Sequence, residues 1–404
     1  MQAEIAIVVV AYNRPYALLR LLSSLKEADY SGYSNVSLFV SIDYSGVLDC
    51  FSLANEFVWP YGHKQIIQFE ENLGLKKHIL QCGDISLQFD AVIVLEDDLF
   101  VSPAFYDYAQ QAYCFYKDDS AIAGVGLYSY RYNEIAYCPF EAIADGYDNY
   151  FLQVPCSWGQ MWTKPQWQLF KDSISEDEFK AEHPMLPEQV KLWPIATSWK
   201  KLFYSYLVSA GRYFIYPRIS LTTNFGDIGQ HYDNQVMVWQ TSLLLKTKQF
   251  CFTKLSHSTS IYDAFFELEP LQFQKIMNLP FELCIDLNGI KPLAQISTQY
   301  LISSKKCMKP IKKYPLALYP YENNILFELD DNNVREHYFS LGLTSDFKSA
   351  LNVDRRSVDI TRLFLKDEDL TVIGRNEVYR TEEYKIGKTV LKPVLFLKRL
   401  LRIK

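Results

Sequence analysis

The chain has 404 residues, a net charge of -6 and 15% aromatic residues, seven of them Trp. That length holds two or three domains, and the negative balance excludes a general nucleic-acid binder, which would be basic. Its eight cysteines form no CxxC pair and stand at no zinc-ligand spacing with His, so they read as reduced thiols of a cytosolic protein. No basic region precedes the apolar run Ile5 to Val10, and no apolar stretch approaches bilayer length, so the expected location is cytoplasmic.

Residues Glu4 to Ala11 are continuous and β-branched and read as a fully buried strand. Asn13 is then expected to cap a helix with Pro15 in its first turn and Leu18, Leu22 and Leu25 on one face. Val36 to Ile42 is a second strand closed by Asp43. Ile66 to Phe69 is a third, followed by Asn72, Gly74 and a helix with Lys76 and Lys77 in its first turn. Val92 to Leu95 is a fourth. Ser102-Pro103 opens another helix, and Ala121 to Val125 is a fifth strand. Strand and helix alternating at this spacing indicate a mainly parallel α/β sheet with flanking helices. Functional side chains are then expected on the loops after strands: Tyr12 to Arg14, Asp43, Asn72, and Glu96 to Asp98.

The fourth strand ends in three consecutive acids, Glu96-Asp97-Asp98, before Leu99-Phe100-Val101 resumes an apolar run. Three adjacent carboxylates repel one another and are costly to bury unpaired. A divalent cation with oxygen ligands removes that problem, and Mg²⁺ or Mn²⁺ needs only one or two carboxylates when phosphate oxygens complete the set. Asp98 is the expected direct ligand, with Asp97 or Glu96 on ribose hydroxyls or supporting it. Asp43 could accept hydrogen bonds from a base or ribose, and Arg14 and Lys77 could offset phosphate charge.

Residues 131–260 are rich in Trp, Tyr and Gly. Trp158 and Trp162 flank Gly159, where indoles could stack on a sugar or form a buried aromatic cluster. An acidic loop spans Ser173 to Glu188. His231 follows two glycines in a turn-rich segment, as a ligand or phosphate contact or as a structural residue. Beyond residue 265, short strand-like pieces such as Asn324 to Leu329 alternate with turns. The last twenty residues are basic, with Lys385, Lys388, Lys392, Lys398, Arg399, Arg402 and Lys404 unopposed by acids. A short amphipathic helix there suits an anionic membrane surface, and docking on the body of the protein is the alternative.

The ordered motifs resemble nucleotide-sugar glycosyltransferases of the GT-A fold, both the bacterial family-2 type and the N-acetylglucosaminyltransferase I group. Val8 to Pro15, including Ala11, Tyr12 and Arg14, looks like their first strand and nucleotide loop. Ser41-Ile42-Asp43 resembles their base-contacting segment, and Asn72-Leu73-Gly74 their N-x-G loop. Leu95 to Leu99 with Pro103 and Phe105 is similar to their metal-binding acidic motif. Trp158-Gly159 with Trp162, then Ser198-Trp199, Tyr216-Pro217 and Asn224 to His231 follow in the family's order.

The resemblance implies a GT-A, Rossmann-like sheet with a C-terminal α+β extension. The expected division is a nucleotide-sugar-binding half at 1–130, an acceptor-binding and catalytic half at 131–260, an accessory region at 265–384 and the basic tail at 385–404. It implies an inverting, Mn²⁺- or Mg²⁺-dependent hexosyl- or N-acetylhexosaminyltransferase. The expected donor is a UDP-sugar. The expected acceptor is a glycan of surface polysaccharide synthesis, carried on a lipid and met at the inner face of the membrane. Asp98 and His231 are the implied metal ligands, and Trp158, Gly159 and Trp162 the acceptor contacts. Where relatives carry an acid beside Ser-Trp, this chain has Thr197, Lys200 and Lys201, none of them a base. Asp227 and Asp233 are therefore the expected proton acceptors, and a non-catalytic nucleotide-sugar or glycan binder is the competing reading. A nucleotidyltransferase is disfavoured, because no glycine-rich loop follows Val10.

Overall fold

The computed structural model describes residues 2–175, 183, 185–227, 238–329 and 338–351. Residues 1–352 form one compact unit. His231, Asp233 and the basic tail at 385–404, for which roles are expected above, lie outside the described residues.

In chain order the first half runs β1 (Ile5–Ala11), α1 (Pro15–Lys26), β2 (Leu38–Ile42), α2 (Asp49–Glu56), β3 (Lys64–Gln68), α3 (Leu75–Asp84), β4 (Ala91–Glu96), β5 (Leu99–Val101), α4 (Phe105–Tyr116) and β6 (Ile122–Gly126). It continues through β7 (Tyr132–Asn133), β8 (Cys138–Pro139), β9 (Asn149–Leu152), β10 (Gln160–Thr163), α5 (Lys164–Ser175), α6 (Glu188–Leu192), α7 (Trp199–Ala210), β11 (Tyr213–Pro217), β12 (Thr222–Asn224) and β13 (Ile261–Tyr262).

One sheet of order β13-β9-β11-β6-β10-β4-β1-β2-β3 organises this unit. The fold is mixed α/β, with a large, mainly parallel, Rossmann-like sheet flanked by helices. Strands β4, β1, β2 and β3 are all parallel neighbours. Strands β1 and β2 are buried along their whole length, as a strand covered on both faces must be. Strand β10 runs antiparallel between β4 and β6. On β6, a Cβ at Gly124 or Gly126 would fall 2.4 Å from the Phe214 ring or 2.6 Å from the Tyr216 ring, so the glycines make room for aromatics of β11. In α1, Leu18, Leu21, Leu22 and Leu25 form the buried stripe.

Two expectations need correction. The N-cap position of α1 is Arg14, not Asn13, and no side chain caps that helix end. Residues Asn324 to Leu329 do not form a strand: α9 (Asn323–Leu326) is a single helical turn. The Asn324 side chain decides it, accepting from the Ala317 and Leu318 amides and donating to the Leu318 and Tyr321 carbonyls. Such local side-chain-to-backbone bonds compete with strand ladders.

Beyond β13, α8 (Pro270–Met277) leads into β14 (Leu283–Asp286), β15 (Tyr300–Ser303), β16 (Lys305–Cys307), β17 (Lys312–Tyr314), β18 (Phe339–Leu343) and β19 (Phe347–Leu351). Four of these form a second sheet of order β14-β15-β18-β17. Its start is tied to the end of β13 by buried ions. Lys291 pairs with Asp263 at 2.5 Å, and Lys305 pairs with the fully buried Asp286, which also accepts from Ser303 Oγ and the Lys291 amide.

Candidate functional site

Three parallel strands deliver their carboxyl ends side by side, and acids close two of them. Glu96 is the register partner of Val10. The Asp97 amide donates to the Val10 carbonyl, and the Asp43 amide donates to Ala11, each at 3.0 Å. The loop entering α1 then swings Arg14 back over this edge. Its guanidinium donates to Asp97 and, at 3.2 Å, to Asp98. Strand β12 pairs with β5, and the Phe225 amide donates to the Asp98 carbonyl at 3.0 Å, so residues 222–227 form the facing wall.

Electrostatics here are those of a crowded anion cluster. Burial raises Glu96 to about 8, with Asp98 and Asp97 pushing the same way against Arg14 and Lys200. Burial also raises Asp97 to about 6, despite the Arg14 charge beside it. Burial opposes the charge on Arg14, but Asp97 and Asp98 outweigh it and hold the guanidinium cationic. One arginine therefore answers three acids. Asp98 Oδ1 is buried with no hydrogen-bond partner, an atom whose desolvation is otherwise uncompensated. No group of three or more His, Cys, Asp or Glu side chains is placed to hold a metal ion among the described residues. A nucleotide-bound Mg²⁺ or Mn²⁺ needs fewer, because phosphate oxygens and water supply the remainder. The Asp97–Asp98 pair fits that donor set.

Asp43, expected to meet a base or ribose, is buried and already engaged. Its Oδ1 accepts from the Tyr44 and Leu73 amides and its Oδ2 from Gly74, at 2.8–3.0 Å. Asn72 Nδ2 donates to the Tyr44 carbonyl at 3.0 Å. Gly74 sits at φ +74°, where a side chain would be strained. Asp43, Asn72 and Gly74 thus brace the loop after β2 against the start of α3. Lys77 is exposed in the first turn of α3, and Tyr12 is half-buried beside Arg14.

Below that loop, His78 is buried with Nε2 2.8 Å from Ser41 Oγ. Burial lowers it from 6.5 to about 4, against the pull of Asp43. A base whose pKa is depressed in the fold binds more protons unfolded, so its contribution is complete above pH 6.5 and is lost as pH falls to about 4. The expected loss is about 3 kcal/mol. Urea unfolding of wild type and His78→Gln checks this: wild type should lose that much more than the variant between pH 8 and pH 4, and parallel curves would contradict it.

The three residues expected at the acceptor divide. Gly159 has φ +93°, and a Cβ there would come 2.8 Å from Thr222 Cγ2 and 3.2 Å from Leu95 Cδ2. The backbone therefore passes close under β12, and Thr222 Oγ1 donates to the Trp158 carbonyl at 2.5 Å. Trp158 is half-buried against Tyr128, Tyr130 and Trp239, beside Lys200. Trp162 is a correction. It is fully buried and stacked on Phe203 at 5.7 Å and against Trp167 at 4.7 Å, so no ring face is open to a sugar.

Asp227 is committed elsewhere. Both of its oxygens are held by Arg20, whose guanidinium also lies 3.7 Å from the centre of the Phe225 ring. That weakens its expected role as proton acceptor, since both oxygens are already engaged in a bidentate arginine pair. Sequence reasoning missed Arg20 in this role, and also a Glu134–Lys200 pair beside Trp158. Lys200 Nζ is 2.6 and 2.9 Å from the two Glu134 oxygens. Neither pairing leaves a spacing signal, because the partners are 207 and 66 residues apart.

No family model and no curated protein matches this sequence. Among solved structures, the chain is similar to a mannosyltransferase, PcManGT from Pyrobaculum calidifontis in complex with GDP-Man and Mn²⁺. Identity is 12% over 43% of this chain and 47% of that one, with a TM-score of 0.31. It is also similar to S. aureus TarS 1-349 in complex with UDP-GlcNAc, at 13% identity over 56% of this chain and 60% of that one, with a TM-score of 0.37. The chain thus spans about half to three-fifths of the length of these structures.

Proposed function

We propose that this chain is a glycosyltransferase moving a sugar from a nucleoside diphosphate to a hydroxyl acceptor, with inversion and with Mn²⁺ or Mg²⁺ bound. One observation carries the reading: the buried, unpartnered Asp98 Oδ1 beside Asp97, at the carboxyl ends of parallel strands. Asp98 would hold the cation, with Asp97 next to it. When bound, the cation neutralises charge on the departing diphosphate. Arg14 bridges both acids and would follow the phosphate charge. The loop braced by Asp43, Asn72 and Gly74 shapes the nucleoside end, with Tyr12 and Lys77 near it. Trp158 and Gly159 border the opposite end, where β10 meets β12, and suit a sugar-bearing acceptor.

A non-catalytic binder is the second reading, favoured by the commitment of Asp227 to Arg20. A thermal-shift screen separates both readings from no nucleotide site at all. UDP-GlcNAc, UDP-glucose, UDP-galactose and GDP-mannose are each tested with and without Mn²⁺. At 100 times Kd a ligand adds about 2.7 kcal/mol to the folded state. We expect at least one donor to raise Tm with Mn²⁺ and not with EDTA. No shift with any of them would overturn the nucleotide-sugar reading, and binding without release of nucleotide would favour the binder.

A further inference from the structure

Transfer to a hydroxyl needs a group that takes its proton, and that role lacks an occupant among the acids already described. Asp97 is held by Arg14, and Asp43 by three backbone amides. Asp227 is held on both oxygens by the forked guanidinium of Arg20, a fixed bidentate pairing that the single ammonium of a lysine does not impose.

Glu134 lies just past β7 and is carried to the site by side-chain contacts, not by the sheet. Its side chain and that of Lys200 are each 13% exposed, so the pair is largely enclosed but still reaches solvent. Tyr204 donates to Glu134 Oε1 at 3.3 Å. Lys200 Nζ lies 5.4 Å from the centre of the Trp158 ring and 5.7 Å from that of Trp193. Trp158 lies two residues before the start of β10, whose first residue Gln160 pairs with Val94, two residues before Glu96. Lys200 is also among the charges that act on Glu96. An anchored carboxylate therefore stands beside the acid-rich edge, on an aromatic wall suited to a sugar ring. Three donor contacts leave it a lone pair to spare, and unlike the more deeply buried Asp43 it still reaches solvent.

Resting on the glycosyltransferase reading, we propose that Glu134 is the catalytic base and that Lys200 is its positioning residue. The acceptor O–H proton passes to a Glu134 oxygen as the acceptor oxygen bonds to the anomeric carbon. The bond from that carbon to the β-phosphate oxygen breaks, and its electron pair leaves with the nucleoside diphosphate.

The test uses the full chain with Mn²⁺ and whichever of the four nucleotide sugars named above wild type cleaves fastest, read as nucleoside diphosphate released. Glu134→Gln keeps the shape and can still accept from Tyr204 and Lys200. It should lower kcat about 10²–10⁴-fold while donor affinity and the urea midpoint stay near wild type. Glu134→Ala should lose as much, and sodium formate should restore part of its rate, an effect a purely structural carboxylate would not show. Wild-type kcat in Glu134→Gln, or loss of kcat in Glu134→Ala with no response to formate, overturns the assignment. A wild type that binds a donor but cleaves none contradicts the base and spares the nucleotide-sugar reading. A wild type that binds no donor overturns both.

Discussion

Asp98→Ala should abolish Mn²⁺-dependent cleavage of the donor, by about 10³-fold or more, without unfolding the protein. A cation on the departing diphosphate supplies several kcal/mol of transition-state stabilisation, and about 4 kcal/mol corresponds to a factor near 10³. Asp98 contributes little to the fold that could be lost with it. Its Oδ1 is unpartnered, its Oδ2 shares Arg14 with Asp97, and its charge opposes those of Glu96 and Asp97. Removing it relieves repulsion and leaves the Arg14–Asp97 bond in place. The metal-free variant should therefore match wild type in Tm or exceed it, while the Mn²⁺-dependent increase in Tm with donor disappears. A variant that retains turnover, or that loses turnover only by unfolding, would show that the acids serve the fold and not a cation.

Trp162→Ala should act on stability instead. The side chain is fully buried, stacked on Phe203, against Trp167 and edge-on to Trp199. Its neighbourhood is tight: a Cβ at Gly83 would fall 2.2 Å from the Trp167 ring. Truncating a large aromatic in such a cluster costs about 3–5 kcal/mol. Part of that is offset, because Trp162 Nε1 is buried with no hydrogen-bond partner and its removal ends that penalty. Urea unfolding should show the loss, and the acceptor KM of the folded fraction should be unchanged. A raised KM with an unchanged urea midpoint would restore Trp162 to the acceptor site.

The sequence made the central strands legible because burial on both faces leaves a continuous apolar run, as in β1 and β4. The acids that close β4 were legible for the same reason, since polar residues interrupt such a run only where the strand ends. Elements with little buried surface were not legible. Helix α2 buries only Cys50 and Ala54, too few to show a period. Strand β10 is four residues long and antiparallel in a mainly parallel sheet, and its Trp162 invited a sugar-stacking role that its depth in the core denies. Short edge strands such as β13, of two residues, carry no pattern at all.

The site divides in a similar way. Arg14 and the acid triplet lie on loops immediately after adjacent strands, so topology alone brings them together. Asp43 was legible as an acid closing β2, but its burial and its partners were not. Three amides from its own loop and the next occupy the carboxylate. Glu134 was invisible because nothing near it in sequence marks a loop carried to the site by one ion pair with α7.

The central claim is that Asp98 joins a divalent cation to a nucleoside diphosphate at the end of β4. A crystal of the full chain grown with UDP and Mn²⁺, measured for anomalous scattering, tests it most directly. The account predicts a manganese peak at about 2.0–2.3 Å from an Asp98 oxygen, with phosphate oxygens completing its shell and Arg14 moved toward the diphosphate. Nucleotide bound elsewhere, or an Arg14–Asp97–Asp98 cluster that stays closed with no manganese on Asp98, would contradict it.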